Sequence, residues 1–346
     1  MLRADQRIAI LLTNGVQGVE GKTGLTLLRY RSGPIVSVID RHTAGQSLPQ
    51  LTGIDRDVPI HASLREALPN KPQVLVIGLA PSGGQLGPED YAEVKAAVGA
   101  GLSIANGLHT RLADDPELRA LCSPQQWIWD IRREPQGLSV GQGQARQHRG
   151  RRVLAVGTDM SIGKMSTCLE LQAAAERAGL NSRFVGTGQA GILIAGGGVP
   201  LDAVRVDFAS GAVEQAVLAA TDADWIFVEG QGSLLNPAST ATLPLLRGSQ
   251  PTDLVLCHRL GQTHIRRFPD FPIPDLTAVI AMYEAVANAG GTFGPCRVRA
   301  IALNGHGFDD GTVRATCDEI EQQTGLPCDD VVRFSGDRLL AALQDR

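Results

Sequence analysis

The sequence predicts an α/β protein of two parallel-sheet domains in tandem: an N-terminal Rossmann-like domain followed by a P-loop NTPase-like domain. Three observations carry that expectation. Short apolar runs bounded by turn residues alternate with helix-spaced segments along the whole chain, as expected for strands covered on both faces by crossover helices. A polar stretch rich in Gly and Gln, 136–150, interrupts the rhythm as a linker would. Immediately after it, 151–167 reads as a buried strand, a glycine-bearing turn and the start of a helix. The expected domains are therefore 1–140 and 150–346, joined by a linker at 136–150.

In order, the first strand is 8–12, followed by a loop at 13–18 and a helix carrying Leu25, Leu27 and Leu28. Gly21-Lys22-Thr23 in this segment is a superficial copy of a phosphate loop, set too far from its strand to form a compact turn. Further strands follow at 35–40, 74–78, 103–107 and 127–130, with a helix near 89–98. Ligands of such sheets gather beyond the carboxyl ends of the strands. Those ends carry Asn14, Asp40, Ser82, Asn106, His109 and Asp130. The same residue types also cap helices and form turns, so each has an ordinary structural reading.

In the second half, 183–191 is a strand feeding a glycine-rich turn that continues to Pro200, and 204–208 opens the next unit. A helix covers 212–220. The run Trp225-Ile226-Phe227-Val228 is a strand that ends in Glu229 and the small residues Gly230-Gln231-Gly232-Ser233. Strands at 254–258, 298–304 and 331–334 complete the sheet. His258 stands at the end of the first of these, followed by Arg259, His264, Arg266 and Arg267.

The chemistry centres on Gly157-Thr158-Asp159-Met160-Ser161-Ile162-Gly163-Lys164. A strand-to-helix turn of this kind aims backbone N–H groups and the positive end of a helix dipole at one point, where a phosphate fits. Lys164 adds a point charge. Five residues separate Gly157 from Gly163, against the usual four, and Met165 stands where the magnesium-holding hydroxyl belongs. Ser166 and Thr167 come one and two places late, and each helical step turns a side chain by about 100°. The anion cradle is intact and the metal site is impaired. An acid placed like Glu229 beside such a loop meets a metal, a water or a nucleophile.

At 346 residues the chain has room for two cores. Its net charge of -4 and aromatic content of 4% leave no basic stripe with stacking rings, so nucleic acid is not an expected partner. Six cysteines without CxxC or zinc-ligand spacing point to reduced thiols and a cytoplasmic setting. No apolar run approaches the roughly 20 residues that would span a bilayer. A homo-oligomer is expected by analogy with two-domain enzymes of this kind; the sequence itself does not decide it.

Two resemblances follow. Gly157-Thr158-Asp159 with Gly163-Lys164 and Val228-Glu229-Gly230 is similar to the dethiobiotin-synthetase branch of the P-loop fold. A wider set resembles the DUF1611-type two-domain P-loop family, which includes D-glutamate N-acetyltransferases. It comprises Gly107-Leu108-His109 with Asp114-Asp115-Pro116-Glu117-Leu118, Trp129-Asp130-Ile131-Arg132-Arg133, the loop with Lys164-Met165, Thr187-Gly188-Gln189, Glu229 to Leu234, Gly248-Ser249-Gln250-Pro251 and Leu256-Cys257-His258. Ala190 and Asn236 depart from the family pattern, where a hydroxyl residue and a His are usual.

The wider resemblance implies acetyl-CoA as acetyl donor and an acidic D-amino acid as acceptor. Gly157, Thr158, Gly163, Lys164, Ser166, Thr167 and Gln189 are the candidates for the coenzyme. Glu229 or Asp159 would take the acceptor's proton, with His258 as a second base. Gln189, Gln231, Ser233 or a backbone N–H would hold the oxyanion. Arg132, Arg133, Arg266 and Arg267 are candidates for the acceptor's carboxylates. No metal is needed. The alternative is an ATP- and magnesium-dependent ligase or kinase of the dethiobiotin-synthetase type.

Overall fold

A computed structural model describes residues 2–81 and 83–345, so Ser82 lies outside the described residues. The chain divides into two compact units, 1–134 with 189–203, and 135–188 with 204–346.

The first unit is built from β1 (Ile8–Leu11), α1 (Lys22–Tyr30), β2 (Ile35–Ile39), α2 (Leu48–Thr52), β3 (Ile60–His61), α3 (Leu64–Ala67), β4 (Val74–Ile77), α4 (Pro88–Gly99), β5 (Ser103–Asn106), α5 (Pro116–Leu121) and β6 (Ile128–Asp130). Its sheet runs β3-β2-β1-β4-β5-β6 with every pair parallel. This is the doubly wound order, which reverses direction between β1 and β4. Both central strands are buried along their whole length, as their unbroken apolar runs require. Glycine lets α1 lie close to the sheet. A Cβ on Gly24 would stand 2.5 Å from Leu12 Cδ1, and the Gly24 N–H donates to Gly78 O at 2.8 Å.

Several strand-end polar residues are spent on their own loops. Asp40 accepts from the Asn14 and Val16 amides and from Thr43 Oγ1. Asp130 accepts from Asn106 Nδ2 at 2.7 Å and from the Leu112 and Ala113 amides.

The second unit contains β7 (Arg151–Gly157), α6 (Lys164–Arg177) and β8 (Ser182–Val185). Helix α7 (Gln189–Ala195) belongs to the first unit. The second unit resumes with α8 (Val206–Leu218), β9 (Trp225–Val228), α9 (Thr242–Ser249), β10 (Asp253–Arg259), the hairpin β11 (His264–Ile265) and β12 (Phe268–Pro272), and α10 (Leu276–Asn288). It ends with β13 (Arg297–Asn304), α11 (Asp310–Thr324), β14 (Cys328–Asp329), α12 (Val331–Phe334) and α13 (Asp337–Gln344). The sheet order is β14-β13-β10-β7-β9-β8, again parallel throughout, with β7 at its centre.

Three local expectations are corrected. Residues read as a glycine-rich turn up to Pro200 include the helix α7, whose Ile192 and Leu193 are buried in the first unit's core. The helix expected at 212–220 starts earlier, as α8 at Val206. The run 331–334 is a helical turn, not a strand, because Asp330 caps it by accepting from the Val332 and Arg333 amides. The last strand is instead Cys328–Asp329. All six cysteines are free thiols. Among the described residues no helix is long and apolar enough to cross a membrane.

Candidate active site

The site is built where β7 ends and α6 begins. Gly163 caps α6 with φ 115°, a conformation open to glycine and costly for other residues. Among the described residues the N–H groups of Ser161, Ile162 and Gly163 donate to no acceptor. Lys164 is buried, and its Nζ donates to Asp159 O at 2.7 Å. An ammonium folded onto the turn beside amide donors is the equipment of an anion site.

Asp159 is the hub of this turn. It is fully buried. Oδ1 accepts from Met160 N at 2.7 Å and from Asn236 Nδ2 at 2.7 Å. Oδ2 accepts from Gln262 Nε2 at 2.6 Å and from Arg266 N at 2.7 Å. Burial alone would raise the pKa of this carboxyl, but the four hydrogen bonds outweigh it and hold the group below the usual carboxylate range. With both oxygens occupied, Asp159 organises the site, which corrects its reading as a proton acceptor.

Glu229 closes the other side. Its Oε2 accepts from the Thr187 and Gly188 amides at 2.8 and 3.0 Å, and its Oε1 from Gln231 Nε2 at 3.0 Å. The next residue must be glycine. A Cβ on Gly230 would stand 1.7 Å from Ala155 O and 2.8 Å from Lys164 Cδ. Glu229 thus reaches the site through a backbone in contact with the phosphate-loop strand and with the lysine stem.

His258, at the end of β10, is joined to the loop by a 3.0 Å contact between Nδ1 and Thr158 Oγ1. Burial pushes its pKa down to about 4, so the imidazole is neutral at physiological pH. It lines a cavity of ≈ 280 Å³ with Leu260, Gln262, Ile273, Leu276 and Ile320. Arg259 beside it is half-buried and makes no ion pair among the described residues.

The remaining expected residues fall in several places. Gly157 is buried at the end of β7, and its carbonyl accepts from Tyr283 Oη at 2.7 Å. Thr167 faces the core, where its Oγ1 accepts from Cys257 Sγ, so it is withdrawn as a phosphate ligand. Ser166 is half-buried near the helix start. Ser233 is buried, and its Oγ accepts from Leu235 N in the turn after β9. Arg266 and Arg267 are exposed at the tip of the β11–β12 hairpin.

Gln189, Arg132 and Arg133 lie in the first unit. Gln189 Nε2 donates to Thr23 Oγ1 at 3.2 Å, so its carboxamide is engaged there and not in the phosphate turn. Arg132 is clamped by Gly107 O, His109 and the Asp202 carboxylate. Arg133 is exposed, 3.7 Å from Asp114.

Sequence reasoning missed Tyr283 and Gln262. Tyr283 is fully buried, accepts from Leu234 N at 3.1 Å and so fastens the loop after β9 to Gly157. Its only sequence signal is one aromatic residue inside an otherwise largely aliphatic helix.

Comparison with known proteins fits this geometry. Residues 139–340 match the P-loop domain of the DUF1611 family, described as a domain of unknown function, and residues 41–134 match its Rossmann-like N-terminal domain. The chain belongs to this family. It is 37% identical over 283 residues to a D-glutamate N-acetyltransferase of Tritonibacter scottomollicae, covering 81% of this chain and 84% of that protein. A D-glutamate N-acetyltransferase of a Pseudoalteromonas species is 36% identical over the same coverage. A crystal structure of a DUF1611 family protein from Anabaena variabilis superposes with a TM-score of 0.94 at 56% identity, covering 99% of this chain and all of that one. On that relationship the chain is an enzyme of the N-acetyltransferase class.

Proposed function

We propose that the enzyme transfers an acetyl group from acetyl-CoA to the amino group of D-glutamate, with the phosphate turn holding the coenzyme. The carrying observation is a turn with amide donors and the Lys164 ammonium, but with Met165 at the metal-hydroxyl position and Thr167 turned into the core. A thioester is already activated, so its phosphates need only be gripped. The relatives' printed activity supports the acceptor.

In the reaction the acceptor nitrogen attacks the thioester carbonyl carbon. The C–N bond forms, the C–S bond breaks, and the coenzyme leaves as its thiol. The acceptor ammonium first loses one proton to solvent through His258, and the second proton, lost as the C–N bond forms, passes through His258 to the departing sulfur. For this His258 Nδ1–H donates to Thr158 Oγ1, which leaves the Nε2 lone pair to accept. Thr158 is then a positioning residue. Glu229 holds Thr187, Gly188 and Gln231 in place, and the second N–H of Gln231 Nε2 is a candidate donor to the oxyanion. Arg259, the next residue on β10, is a candidate for a carboxylate of the acceptor.

The test is thiol release from acetyl-CoA with D-glutamate, for wild type and Lys164→Ala. Release that depends on D-glutamate and on Lys164 is expected. No release with any amino acid, together with magnesium-dependent phosphate release from ATP, would replace this reading by the ligase or kinase one.

A further inference from the structure

The hairpin β11–β12 is fastened to the phosphate turn itself. The Arg266 amide donates to Asp159 Oδ2 at 2.7 Å, and Gln262 Nε2 donates both to that oxygen and to His264 O. Ile265 is buried beneath, and the Ile273 amide pairs with Thr263 O at 2.8 Å to close the hairpin's base. The tip is therefore placed by the turn and not left to wander. It carries two arginines in succession, both exposed and neither ion-paired among the described residues. Arg267 has φ 71°, the left-handed region that a non-glycine residue adopts at a cost. Strain of that kind persists where the surroundings enforce it, and it recurs at binding sites.

The phosphate turn is short of positive charge for the ligand its shape suits. A magnesium ion held by a hydroxyl directly after the lysine ordinarily completes such a site. Here that position is Met165, and Thr167 is buried with its Oγ1 accepting from Cys257 Sγ. Ser166 is a helical step out of place. The residues present do not fit the ion.

From these observations we infer that Arg266 supplies the missing charge, binding the diphosphate of the ligand directly and making the site independent of divalent metal. Arg267 adds to the same field. Guanidinium matches phosphate by two parallel hydrogen bonds, as carboxylate does. The tether from Asp159 to the Arg266 amide sets the side chain's origin beside the turn, so Asp159 is a positioning residue for both halves of the site. This reassigns Arg266 from the acceptor's carboxylates to the coenzyme. It rests on the proposed role of the turn as a phosphate site, but not on the identity of the acceptor.

The experiment uses calorimetry of the full chain with inorganic pyrophosphate, in EDTA and in magnesium, for wild type, Arg266→Ala and Arg266→Lys. Acetyl-CoA and D-glutamate kinetics are measured alongside. Wild type is expected to bind pyrophosphate in EDTA. Arg266→Ala should weaken that binding fivefold or more, and Arg266→Lys should recover part of the loss. The KM for acetyl-CoA should rise by a similar factor, with the KM for D-glutamate and kcat within twofold of wild type.

A loss of less than fivefold in Arg266→Ala overturns the inference. So does wild-type binding that tightens fivefold or more with magnesium, or a KM change carried by D-glutamate. The two proposals fail separately. Pyrophosphate binding that needs Arg266, without any acetyl transfer, rejects the transferase reading alone. Acetyl transfer with an indifferent Arg266 rejects this one alone.

Discussion

Replacing Asp159 by Asn changes one oxygen to an NH2 group and leaves the shape intact. Each carboxylate oxygen receives two donors: Met160 N and Asn236 Nδ2 on one, Gln262 Nε2 and Arg266 N on the other. Whichever way the new amide turns, two N–H donors face its NH2. A hydrogen bond to a charged group contributes roughly 1.5–3 kcal/mol, so two amount to about 3–6 kcal/mol. Relief from burying a charge offsets part of this, which puts the expected loss near 3 kcal/mol. At about 2–4 °C per kcal/mol, the transition of the second unit should fall by roughly 6–12 °C.

The pH dependence gives a sharper check. The folded-state pKa of Asp159 lies below its unfolded value of about 3.9. Its contribution is therefore complete above that value and is lost as pH falls through the folded one. Urea unfolding of wild type and variant from pH 7 down to pH 3 should show a gap that is constant at first and narrows below about pH 4. The titration of His258 acts on both proteins and cancels from the difference. A gap under 1 kcal/mol at pH 7, or one that does not narrow in acid, would refute the reasoning.

Other expectations are as direct. Lys164→Ala should raise the KM for acetyl-CoA by roughly tenfold or more with little change in the KM for D-glutamate, since it removes a charged phosphate contact. His258→Gln should lower kcat by about 100-fold, and the acid limb of wild-type kcat/KM should lie near pH 4 and not near the ordinary histidine value of about 6.5. The depressed His258 pKa also means that stability falls as pH drops from about 6.5 towards 4, a loss that the Gln variant should not share in denaturant titrations. Tyr283→Phe deletes the hydroxyl that joins Gly157 O to Leu234 N, and calorimetry should show a loss of about 1–3 kcal/mol. Gly230→Ala should yield no cooperatively folded second unit by circular dichroism, because its methyl would overlap the Ala155 carbonyl.

The fold was readable because strands buried on both faces leave continuous apolar runs, as at Val74–Ile77 and Trp225–Val228. The phosphate turn was readable because all its parts are neighbours in the chain. What surrounds it was not. Asn236, Gln262 and Arg266 meet Asp159 across 77 to 107 residues, and Tyr283 meets Gly157 across 126. No local spacing records such meetings. The short element 331–334 misled for a related reason. Its apolar residues suit a strand, and only the Asp330 side chain, by capping two amides, selects the helical turn.

Helix α7 belongs by packing to a unit whose preceding residues end at Glu134, and the chain reaches it only after threading β7, α6 and β8. During synthesis the first sheet must wait, one flank of its core uncovered, until Ile192 and Leu193 emerge to seal it. A protease nick between Glu134 and Gln189 would therefore not release a self-sufficient N-terminal fragment, and excising residues 1–134 for separate expression should give an aggregating product unless 189–203 is grafted back.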